Sequence, residues 1–114
     1  MPYIALTTPQ TLSAEQKQTI AKDLGSIISA LPGKSEGALM IDFCDGHTMY
    51  FRGNERKDCA FVDVRIYGSI GFSFKSEFTL KLFEVMNKNL GLTGDDVFMN
   101  FSEHATWGSA GIFK

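Results

Sequence analysis

The residue best placed to do chemistry is the second in the chain. A proline there permits removal of the initiator methionine, and Pro2 then heads the chain as a secondary amine. Such an amine is a base only when it is neutral. Its pKa must fall toward the working pH, and burial among apolar groups beside another cation lowers it. Tyr3, Ile4 and Leu6 offer the apolar surroundings, and Lys34, just after Pro32-Gly33, offers the positive charge. Pro2 is therefore a candidate general base. Other groupings carry less. Cys44-Asp45-Gly46-His47 holds three possible ligands, but Gly46 marks a turn and structural zinc usually wants four ligands, so this reads as a solvated loop and not a metal site. Glu103 and His104 could form an acid–base pair and read more simply as a surface pair. Arg52, Arg56 and Lys57 read as a solvated basic loop. The glycines at 68 and 71 do not make a nucleotide-binding fingerprint.

These residues need a scaffold, and the chain is long enough for one. With 114 residues, 44% of them hydrophobic, it reads as one domain spanning 1–114 with its own core. Eleven Lys and Arg against thirteen Asp and Glu leave a net charge of −2, which lacks the basic footprint of a nucleic-acid binder. No apolar run approaches the ~20 residues of a membrane span. The first residues lack the basic and long apolar regions of a secretory signal, so a cytoplasmic location is expected. Cys44 and Cys59 fit free thiols in a reducing compartment, although spacing alone leaves a disulfide open.

The elements follow from periodicity. Residues 2–7 read as a strand. Ser13 and Gln16 form a capping box, and Ile20, Leu24, Ile27, Ile28 and Leu31 follow at helical spacing until Pro32-Gly33. Residues 38–44 read as a second strand, and Met49–Phe51 as a short one inside a polar stretch. Residues 60–67 alternate cleanly, with Ala60, Val62, Val64 and Ile66 on one side and Phe61, Asp63, Arg65 and Tyr67 on the other. A helix is expected from about residue 74, with Phe78, Leu82, Val85, Met86 and Leu90 as its apolar stripe and Gly91 after it. A strand over 96–101 and a glycine-punctuated tail complete the chain. The fold class is α+β: two β-α-β repeats offset by 58 residues, forming a four-stranded mixed sheet with two helices on one face. The other sheet face mixes Phe61 and Tyr67 with Asp63 and Arg65, which suits a subunit interface.

The ordered set of motifs resembles a known family. Met1-Pro2-Tyr3-Ile4, Gly33-Lys34, Tyr67-Gly68-Ser69-Ile70-Gly71, the run Asp96 to Phe101 and the tail Trp107 to Phe113 are together similar to macrophage migration inhibitory factor and its tautomerase relatives. The resemblance implies a homotrimer with active sites between subunits. It implies that Pro2 is the catalytic base of a cofactor-free keto–enol tautomerase acting on a small aromatic α-keto acid such as phenylpyruvate. Lys34 would bind the substrate carboxylate, and the Tyr67 backbone N–H would contribute to binding. Asn100 would reach the pocket from the neighbouring subunit, and Tyr3 and Phe98 would form aromatic walls. Phe98 is preferred over Phe101 because alternation puts Phe98 and Asn100 on one face. No metal is needed. Family members also act as cytokine-like proteins, so a protein receptor and release without a signal peptide are the alternative expectation. A third reading of the element order is a ferredoxin-like small-ligand or RNA-binding module, which the acidic balance disfavours.

Three positions depart from the family pattern. Phe98 stands where the family's pocket tyrosine is usual and brings no phenol. Ser109 stands where an aromatic is common, and Trp107 is available to fill that space. Val62 replaces the second cysteine of a CxxC that begins at Cys59, which argues against thiol–disulfide activity.

Overall fold

A computed structural model describes every residue from Met1 to Lys114. The first strand, β1 (Pro2–Thr7), leads to helix α1 (Ala14–Ile27), and the chain returns as β2 (Met40–Cys44). A hairpin of β3 (Met49–Phe51) and β4 (Asn54–Arg56) follows. The second half repeats the plan with β5 (Ala60–Tyr67), α2 (Phe72–Leu90) and β6 (Val97–His104), and a small hairpin of β7 (Gly108–Ser109) and β8 (Ile112–Phe113) ends the chain. The main sheet has the order β2-β1-β5-β6. Strands within each half are parallel, and the two halves meet antiparallel at β1 and β5. This is the mixed sheet of two β-α-β repeats that the spacing predicts; α1 and α2 begin at Ala14 and Phe72, 58 positions apart.

Strand alternation decides which face is dry. Ile4 and Leu6 of β1 and Val62, Val64 and Ile66 of β5 point toward the helices and are fully buried. Ile20, Leu24 and Ile28 from the first helical segment and Phe78, Leu82 and Met86 from α2 close over them. Each large apolar side chain buried this way contributes roughly 1.5–3 kcal/mol. Local chemistry sets the helix ends. Ser13 Oγ accepts from the Gln16 backbone N–H while the Gln16 side chain accepts from the Ser13 N–H, a reciprocal cap worth about 1 kcal/mol. Gly91 ends α2 at φ 67°, a conformation only glycine adopts without strain. No helix is long and apolar enough to cross a membrane.

Several boundaries move. Residues 36–38 form a 3-10 turn, so the second strand begins at Met40 and not at residue 38. Helix α2 starts two residues early, at Phe72. Strand β6 runs to His104, past the expected end at Phe101. The polar stretch after Phe51 is not a loose loop: Arg52 and Gly53 both take positive φ and turn β3 into β4. Arg52 and Arg56 are also partnered. Arg56 Nη2 lies 2.7 Å from Asp96, and both guanidinium groups stack on the Phe51 ring at 4.8 and 5.2 Å. Both cysteines are free, which settles the pairing that spacing left open.

Several carboxylates tie the elements together and give the fold an acid limit. Asp45 accepts from the Leu12 N–H at 2.9 Å and pairs with Lys17, so the Cys44–His47 turn anchors the entry to α1. Asp96 accepts from Thr93 and Arg56, and Glu103 from the Ile70 N–H and Lys75. In each case the backbone N–H is the largest influence holding the carboxyl below its ordinary range. Their stabilisation is complete above the unfolded pKa values and is lost as pH falls through the lower folded ones. The melting temperature is therefore expected to drop on acidification below about pH 4. Thermal melts across that window check this, and an unchanged melting temperature would contradict it.

Candidate active site

The start of β1 opens into a cavity of about 600 Å³. Proline suits the first position of a strand, where its missing N–H breaks no ladder. Pro2 is buried and Met1 half-buried. Tyr3, Arg65, His104 and Trp107 are further walls of the same cavity. The Tyr3 hydroxyl donates to Asp42 at 3.1 Å, and its pKa is raised, first by burial and then by that carboxylate.

Lys34 lies beside the cavity, on the turn that closes the first helical segment. Its backbone N–H donates to the Leu31 carbonyl, and the preceding Gly33 takes φ 74°. Its Nζ donates to the Tyr67 carbonyl at 2.8 Å, crossing from the first half of the chain to the second. Two of its three N–H groups are left for a ligand. The Met1 amine is held below its ordinary pKa, first by burial and then by the charges of Lys34 and Lys114. An amine in this place is easier to deprotonate than one in water.

The residues singled out from sequence divide into two groups. Pro2 and Tyr3 line the cavity, and Lys34 and Tyr67 meet beside it, Tyr67 through its carbonyl. Phe98 and Asn100 lie elsewhere. Pro2 pairs with Ile66, and Ile66 with Glu103. Asn100 is thus three residues and Phe98 five residues back along β6 from the position level with Pro2, offsets of roughly 10 and 17 Å along the strand in addition to the two-strand separation. Asn100 donates to Asp63 at 2.9 Å. Phe98 is 57% exposed and packs edge-to-face on Phe51 at 4.8 Å. Phe101 is on the other face, against Phe78 in the core.

One pairing of the polar residues needs correction. Glu103 and His104 do not pair, because successive strand residues face opposite ways. Glu103 turns to Lys75 and Ile70, whereas His104 turns to the cavity, with Nε2 3.3 Å from Ser102 Oγ and its ring 5.8 Å from that of Trp107. Arg65 was legible only as a face residue; its place in the cavity wall depends on the pairing of β5 with Tyr3 of β1. Trp107 and Ser109 both line the cavity because Ala110 and Gly111, at positive φ, fold the tail back as a hairpin. No three His, Cys, Asp or Glu side chains converge to hold a metal ion.

The family model described as macrophage migration inhibitory factor matches residues 1–112. A search of curated proteins finds no match. Among solved structures, Leishmania major MIF2 is 20% identical with a TM-score of 0.89, covering 100% of this chain and 97% of its own. The macrophage migration inhibitory factor of Toxoplasma gondii is 22% identical with a TM-score of 0.85, covering 98% and 99%. A fused 4-OT solved as a symmetric trimer is 17% identical with a TM-score of 0.83, covering 95% and 91%. These likenesses establish a shared fold.

Proposed function

Because the chain belongs to the macrophage migration inhibitory factor family, we propose that it is a cofactor-free keto–enol tautomerase whose base is the Pro2 nitrogen after removal of Met1. While Met1 is attached, that nitrogen is an amide without a basic lone pair. Its removal shifts the free amine inward to buried Pro2. The observation that carries the reading is the position of Pro2, buried at the head of β1 in the wall of the cavity, with Lys34 held on the Tyr67 carbonyl at 2.8 Å.

The chemistry balances within the substrate. Neutral Pro2 takes a proton from the carbon beside the keto group of a 2-oxo acid such as phenylpyruvate. The C–H electron pair forms the new C=C bond, and the carbonyl pair moves onto oxygen. The Pro2 ammonium returns the proton to that oxygen, and the reverse sequence gives the keto form. Lys34 holds the carboxylate as a point charge. Donors aimed at the developing oxyanion lower the barrier further.

The same reading makes the working unit a homotrimer with its sites between copies. Asn100 and Phe98 stand too far from Pro2 of their own chain, and Phe61 and Phe98 are exposed on the sheet face away from the helices. A neighbouring copy can bring Asn100 to the oxyanion and Phe98 to the substrate ring. The mass in solution is then three times 12.6 kDa. Lys34→Ala tests the carboxylate anchor. Steady-state phenylpyruvate kinetics are expected to show KM raised on the order of tenfold or more with a smaller change in kcat, as a lost charge-assisted contact predicts. An unchanged KM would remove Lys34 from that role.

A further inference from the structure

The cavity around Pro2 carries a second cation that the tautomerase reading leaves without a task. Arg65 stands on β5 two residues before Tyr67, whose carbonyl holds Lys34. Arg65 lines the cavity with Pro2, and Lys34 is held two residues further along β5, so the two cations approach the site from different positions. Arg65 is preorganised. Its Nε lies 3.0 Å and its Nη2 2.8 Å from Asp63 Oδ2, and Asn100 fixes the other Asp63 oxygen. The guanidinium also lies 5.8 Å from the centre of the Tyr3 ring. Asp63 is desolvated, which alone would raise its pKa, yet the hydrogen bonds from Asn100 and Arg65 outweigh this and keep it ionised. Asp63 thereby occupies two of the five guanidinium N–H groups and leaves three. The Arg65 side chain is half-exposed and forms part of the cavity wall. A planar fork held by a carboxylate behind it suits a second carboxylate in front. His104, beside Ser102 and Trp107, is another polar group in that wall.

We propose that Arg65 forms a second carboxylate subsite in the Pro2 cavity, so that the preferred substrates are short 2-oxo diacids. This rests on the tautomerase reading of Pro2 and adds a substrate class to it. The proton shift is unchanged: the proton leaves the carbon beside the keto group and returns to oxygen, while Lys34 and Arg65 each hold one carboxylate.

Oxaloacetate and phenylpyruvate tautomerisation, measured side by side, test the proposal. Wild type is expected to favour oxaloacetate in kcat/KM. Arg65→Gln is expected to lower the oxaloacetate-to-phenylpyruvate ratio on the order of tenfold to hundredfold, the value of a charge-assisted hydrogen bond. Arg65→Lys, which keeps the charge and loses the fork, should fall between. A wild-type preference for phenylpyruvate, or a ratio unchanged in R65Q with its circular dichroism intact, overturns the subsite and leaves the Pro2 base standing. Succinate, which has no keto group, separates the two ideas from the other side. Trp107 is the single tryptophan and lines the cavity, so its fluorescence reports occupancy. Saturable quenching by succinate that weakens in R65Q supports the subsite even if neither keto acid turns over. Absence of any succinate response overturns it.

Discussion

Pro2→Gly is expected to reduce kcat/KM for phenylpyruvate by about 10²–10⁴-fold, the usual worth of a positioned general base. Glycine still leaves a free amine at the chain head, so the variant does not simply delete the base. It replaces a rigid secondary amine with a mobile primary one. The pyrrolidine ring ties the nitrogen back to its own side chain and so fixes the direction of its lone pair, at the head of a strand that the sheet holds on both sides. Glycine leaves a freely rotating primary amine, and the lone pair loses its set direction toward the substrate carbon. Steady-state assays on variant protein of confirmed N-terminal mass check this. Retention of wild-type kcat/KM would take the proton transfer away from Pro2.

Phe78→Ala is expected to carry the largest stability cost of a single substitution, about 3–5 kcal/mol. Phe78 is fully buried in α2, and its ring meets Phe101 of β6 edge-to-face at 6.0 Å. Truncation leaves a void between helix and sheet and removes an aromatic partner. The melting temperature is expected to fall by roughly 10–20 °C, read at one fixed protein concentration because assembly adds to apparent stability. A fall of only a degree or two would mean that the site collapses around the void.

The Phe78–Phe101 contact also explains what the sequence made legible. Helical spacing marked Phe78 as an inward residue, and period-two alternation put Phe101 opposite Phe98 and Asn100. Both patterns are local consequences of one dry face, so residue order alone carries them. The 58-residue offset of the halves was readable for the same reason. The ends of elements were harder. Ser102 and His104 look like the start of a polar tail, and only pairing with Arg65 and Tyr67 of β5 makes them strand. The two short hairpins turn on Arg52-Gly53 and Ala110-Gly111, whose first residues are not the asparagine or aspartate that usually signals such a turn. At the site, Pro2 and Lys34 were legible because an amine and a cation near the chain head have a chemical logic. Arg65 and His104 were not, since their approach to Pro2 is set by strand register and by the folded tail.

The central claim is that catalysis needs a free imino nitrogen on Pro2. It is tested most directly by comparing phenylpyruvate turnover by two preparations of the same protein, one that retains Met1 and one from which it has been cleaved, each verified by intact mass. Turnover confined to the cleaved form is predicted. Equal turnover by both forms would contradict the claim, because an amide nitrogen cannot accept the proton.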